Sequence, residues 1–124
     1  MALSTRKTFS FTLVAGTAKY FETADNVVTT PGFLQILIQE VVPAGKLWKL
    51  QQAFVSCRID TKWSFRINSV QVASGRTGAG HPDSNFSWFP ARSVAQGIQI
   101  RLELFAKSGI PPSDIEAYLQ LSEE

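Results

Sequence analysis

Gln96-Gly97-Ile98-Gln99-Ile100-Arg101-Leu102-Glu103-Leu104-Phe105-Ala106-Lys107 decides the fold class. After a Gln-Gly turn signal, Ile98, Ile100, Leu102, Leu104 and Ala106 alternate with Gln99, Arg101, Glu103, Phe105 and Lys107. Successive side chains of a strand point to opposite faces, so this is a half-buried strand with one apolar face. Phe105 is out of place on the polar side. No window of the chain gives a persuasive period of about 3.6, so helices are not expected.

Working outward, Ser108-Gly109-Ile110-Pro111-Pro112-Ser113-Asp114 breaks the strand. Ile115, Ala117, Leu119 and Leu121 then form a last strand, with Glu116, Tyr118 and Gln120 outward. Its start, Ser113-Asp114-Ile115-Glu116, resembles a helix cap, but the alternation favours a strand. Upstream, Trp63, Phe65 and Ile67 face inward and Ser64 and Arg66 outward, after a turn at Asp60-Thr61-Lys62. Asn68-Ser69 reads as a tight hairpin turn, because Asn tolerates positive φ. Val70, Val72 and Ser74 lie on the returning strand.

Between them, Gly75 to Asn85 reads as the longest clear loop. A short strand, Phe86 to Phe89, follows and ends at Pro90. Lys46 to Ile59 changes phase: Trp48 and Leu50 have one parity, Ala53, Val55, Cys57 and Ile59 the other. A one-residue bulge near Gln51-Gln52 keeps both sets inward. Leu34, Ile36 and Ile38 alternate with Gln35, Leu37 and Gln39 in a strand that runs to Val42 and stops at Pro43-Ala44-Gly45. Thr17 to Pro31 is polar and reads as a loop or an irregular strand pair. Phe9, Phe11 and Leu13 suggest one more half-buried strand.

These elements amount to about eight short strands joined by turns, with no repeat and no linker. The expected fold is all-β: a single-domain antiparallel β-sandwich over residues 1–124, jelly-roll-like, with residues 1–7 as a flexible N-terminal arm. A small barrel is the alternative. At 124 residues the chain can bury about two thirds of its unfolded surface, enough for a core without staples.

Composition closes several function classes. One Cys and one His exclude a disulfide framework and a Cys-rich zinc site, so no metal or cofactor is expected. Met1 to Lys7 has no apolar h-region, and no apolar run is long enough to span a membrane. The chain therefore reads as soluble and made in a reducing cytoplasm. Formal net charge is +2, and Arg58, Arg66, Arg92 and Arg101 are scattered, which favours a solvated face over nucleic-acid contact.

Candidate chemistry is sparse. His81, Asp83 and Ser84 crowd one loop around Pro82, whereas a catalytic triad draws its members from separate elements. Gly75-Arg76-Thr77-Gly78-Ala79-Gly80 lacks the Gly-Lys-Ser/Thr of a phosphate loop and follows a hairpin, although Arg76 there could anchor a partner. Trp48 and Trp63 fall on inward parities and read as core. Trp88 and Phe89 are adjacent, so one of them must face outward. Nothing here points to an enzyme.

Four stretches carry a resemblance: Val42-Pro43-Ala44-Gly45-Lys46-Leu47-Trp48-Lys49-Leu50, Phe65-Arg66-Ile67-Asn68, Ala73-Ser74-Gly75-Arg76-Thr77 and Val94-Ala95-Gln96-Gly97-Ile98-Gln99-Ile100. At the level of pattern they resemble the head decoration, or cement, proteins of tailed bacteriophages, over roughly Leu34 to Leu121. Similar modules occur in tail fibres and carbohydrate-binding domains, and Met1 to Gly32 matches nothing we can name.

The resemblance implies a non-enzymatic virion protein that decorates and stabilises a capsid. It would be made in the host cytoplasm and sit on the capsid outer surface. It would act as a homotrimer bridging neighbouring subunits of the major capsid protein. The alternative it leaves open is a carbohydrate- or receptor-binding module of a tail fibre, with a glycan partner. The candidate interface residues are Arg6 and Lys7 of the arm, Arg76, His81, Trp88, Phe89, Arg92 and Phe105.

Overall fold

The computed structural model describes residues 16–23, 32, 34–106 and 115–124. The arm at Arg6 and Lys7, the Phe9–Leu13 alternation and the break after Lys107 lie outside the described residues. Eight strands follow in chain order: β1 (Thr17–Glu22), β2 (Leu34–Val41), β3 (Leu47–Cys57), β4 (Thr61–Ile67), β5 (Val70–Thr77), β6 (Asp83–Ala95), β7 (Gln99–Ala106) and β8 (Ile115–Glu123).

Every pairing is antiparallel, and the pairs nest: β4 with β5, β3 with β6, β2 with β7 and β1 with β8. The chain is thus one long hairpin. Folding it over adds two more pairings, β8 with β3 and β7 with β4. The result is sheet I, in the order β1-β8-β3-β6, and sheet II, in the order β2-β7-β4-β5. This wrapped order is that of a double-sheet jelly roll, as the sequence leads one to expect.

The core lies between the sheets. Trp48, Leu50, Ala53, Val55 and Cys57 of β3 and Ala117, Leu119 and Leu121 of β8 meet Trp63 and Phe65 of β4 and Ile100, Leu102 and Leu104 of β7. Both buried indoles keep a partner for their N–H, which burial would otherwise leave costly. Trp63 Nε1 donates across the core to Ser84 Oγ at 2.9 Å, tying sheet II to sheet I. Trp48 Nε1 donates to Glu123 Oε2 at 2.8 Å.

The β3 bulge sits where expected. Leu50 faces Leu121 and Gln52 faces Gln120, so Gln51 is the extra residue and both apolar sets point inward. The Asn68-Ser69 turn also holds, with φ of 51° and 71°. Two left-handed residues in succession give a turn whose twist matches its strands.

Four expectations need correction. Thr17 to Glu22 is a regular strand, because its backbone completes the ladder of β8. Thr61 and Lys62 belong to β4, and the turn is confined to residues 58–60. The long loop shrinks to residues 78–82: β5 runs on to Thr77, β6 starts at Asp83, and Gly78 and His81 exchange two backbone hydrogen bonds of 3.0 Å. Finally, β6 does not stop at Pro90 but continues to Ala95. β6 is an edge strand, where a residue without an N–H is tolerated.

Candidate functional site

Two regions combine exposed side chains that could meet a partner, and the apolar part of the second lies at the β2 end of the sandwich, away from β6. The first is the outer edge of β6. Leu50 of β3 faces Arg92, but Gln52 faces Ser87, so residues 88–91 bulge from the ladder. The Phe89–Pro90 peptide bond within the bulge is cis. Trp88 turns inward and packs, half-buried, against the core, with its ring edge-on to Phe65 at 5.2 Å and to Phe86 at 5.1 Å. Phe89 points the other way and is 86% exposed. Arg92 beside it and Asn85 further back are exposed too. The sequence pair therefore divides as strand geometry requires, with Trp88 inside and Phe89 outside.

The second is the outer face of sheet II, where register aligns side chains in rows across all four strands. One row reads Leu34, Phe105, Lys62, Arg76. The next reads Ile36, Glu103, Ser64, Ser74, and the third Gln39, Arg101, Arg66, Gln71. Leu34 and Ile36 reach this face through a phase change. Ile36 faces Glu103 and Ile38 faces Leu102, so Leu37 is the extra residue. Leu37 and Ile38 are both buried, while Leu34 and Ile36 stand 57% and 41% exposed. Together with Phe105, at 36%, they make an apolar corner along β2 and β7.

Glu103 anchors the middle of this face and is only 1% exposed. Arg66 Nε donates to its Oε1 at 2.9 Å, and Ser64 Oγ lies 3.4 Å from the same oxygen. Arg101 Nε approaches Oε2 at 2.6 Å, without the alignment of a hydrogen bond. Arg66 also donates through Nη1 to the Ser69 carbonyl at 3.1 Å. A carboxylate this well covered needs such neighbours, since a buried lone charge is costly.

A third polar group closes the end of sheet I. Glu123 accepts from Trp48, and Lys19 Nζ lies 3.6 Å from the same oxygen. The Trp48 hydrogen bond lowers the Glu123 pKa below the ordinary 4.5; partial burial opposes it, and the charges of Lys19 and Lys46 assist. This arrangement ties the end of β8 to β3 and β1.

The structure thus separates the sequence candidates. Phe89 and Arg92 share the β6 edge, Arg76 and Phe105 share the outer face of sheet II, and His81 is exposed at the hairpin between β5 and β6. Trp88 is half-buried against the core, and Arg6 and Lys7 fall outside the described residues. Sequence reasoning missed Leu34, Ile36, Lys62 and the Arg66–Glu103–Arg101 cluster. It treated the arginines as scattered, whereas β4 and β7 bring Arg66 and Arg101 face to face. The outward parity of each strand was legible, but not which strands are neighbours.

Among the described residues, no cluster of three or more His, Cys, Asp or Glu side chains is placed to hold a metal ion. No protein-family model matches the chain, and no curated protein is recognisably similar to it.

Proposed function

We propose that this protein is a non-enzymatic structural component of a virus particle: a decoration protein that trimerises and ties neighbouring subunits of the major capsid protein together on the capsid outer surface. The supporting observation is that one two-sheet body bears two different exposed contact surfaces on opposite flanks. Phe89 projects from the β6 edge, and Leu34, Ile36 and Phe105 form the apolar corner at β2. A lattice-binding oligomer needs two such surfaces, one for its own copies and one for the lattice. The β6 bulge suits the first role, because a projecting Phe on each copy can seat in the next and close a ring. Three linked contacts to a lattice then gain avidity from their shared geometry, so each can be modest.

The experiment is absolute mass by light scattering over a wide concentration range, for the native chain and Phe89→Ser. The proposal expects a species near three times 13.7 kDa, and its loss in Phe89→Ser with the fold intact. A native chain that stays monomeric throughout would remove the trimer.

A second reading has one observation in its favour. β6 exposes Phe89 together with Asn85 and Arg92, an apolar ring among polar groups of the kind a glycan-binding module presents. Glycan binding that is lost in Phe89→Ser would move the proposal to that class.

A further inference from the structure

The outer face of sheet II is built against its own electrostatics. Lys62 stands directly opposite Arg76, and Arg66 directly opposite Arg101. Like charges facing each other across strands destabilise a sheet. Glu103 relieves the Arg66–Arg101 pair by contacting both. The Lys62–Arg76 pair is exposed, and among the described residues neither member meets a carboxylate. Among the described residues of its four strands, four cations against one carboxylate leave +3 on this face, in a chain whose whole formal charge is +2.

We infer that this face is the surface through which the assembly proposed above docks, and that it receives a protein surface that carries carboxylates beside an apolar patch. The inference rests on the proposed assembly role and names the chemistry of its partner. A carboxylate placed between Lys62 and Arg76 would turn a repulsive pair into a bridged one, as Glu103, one row away, does for Arg66 and Arg101. Phe105 lies directly beside Lys62 in the same row, with Leu34 beyond it. That apolar half gives a partner's aliphatic or aromatic side chains a seat. A phosphate backbone would leave it unused, which favours a protein over a nucleic acid. Arginine and aromatic side chains are also the usual anchors of protein contacts.

The test titrates the full chain, at low salt, against a glutamate–tyrosine copolymer, which combines carboxylates with apolar rings. A DNA duplex of matched charge is the competitor. The native chain binds the copolymer in preference to DNA, more weakly as salt rises. The double variant Lys62→Gln/Arg76→Gln binds about tenfold more weakly, with a melting temperature equal to or above the native one. Phe105→Ser weakens binding without changing the salt dependence. Preference for DNA, no binding by the native chain, or unchanged binding by the double variant would each overturn the inference. The trimer stands or falls separately: a monomeric mass with copolymer binding retained would remove the trimer and keep the docking face.

Discussion

Gly75 is the position where a single methyl group should test the core most sharply. It faces Trp63 across the β4–β5 pair. A Cβ built there would lie 2.5 Å from Trp63 Nε1, 2.7 Å from Trp63 Cε2 and 2.5 Å from Ser84 Oγ. These are the two ends of the hydrogen bond that joins the sheets. Trp63 is fully buried, so its ring has nowhere to retreat. Overpacking of this kind costs about 1–3 kcal/mol, and a broken buried hydrogen bond costs a similar amount. The restricted unfolded chain of an alanine returns only about 0.4–1 kcal/mol. Gly75→Ala should therefore destabilise by roughly 2–4 kcal/mol, a fall in melting temperature of roughly 10 °C for a domain of this size. Urea unfolding followed by tryptophan fluorescence measures it. Trp63→Phe removes the crowded indole nitrogen, so in that background Gly75→Ala should cost about 1 kcal/mol less. A Gly75→Ala variant within about 0.5 kcal/mol of the native chain would refute the argument.

Glu123 ionises more readily in the fold than in the unfolded chain, so its contribution is complete above pH 4.5 and is lost as pH falls through its lower folded value. Thermal scans from pH 3 to 8 should show that loss, and Glu123→Gln should flatten it. Glu103→Gln removes the charge that Arg66 and Arg101 share. Allowing for the water that reaches both arginines, it should cost about 1–3 kcal/mol by denaturant titration. Phe89→Ser should leave stability within about 0.5 kcal/mol, because the ring is already in solvent, while shrinking the species seen in sedimentation velocity.

The period-two pattern carried much of the fold. It identified β4, β7 and β8, the inward Trp48 and Trp63, and the Gln51 bulge, because each buried residue leaves its mark on alternate positions. It failed where the ladder, not the side-chain pattern, sets the structure. Leu34, Ile36 and Ile38 share one parity, yet the extra Leu37 sends the first two to the outer face and the third to the core. Gly75 suggested a loop, but it marks the place where a strand backbone passes over Trp63 with no room for a side chain. Pro90 suggested a strand end, which holds for a central strand and not for an edge. The candidate docking face was hidden for a related reason. Lys62, Arg66, Arg76 and Arg101 are spread over forty residues of sequence and meet only through the β5-β4-β7 order.

Location is what the account most needs tested. Immunogold electron microscopy would use antibodies to this protein on intact virus particles purified from cells that carry its coding sequence. The account predicts gold over the outer surface of the heads. Label on tail tips, or particles without label, would contradict it.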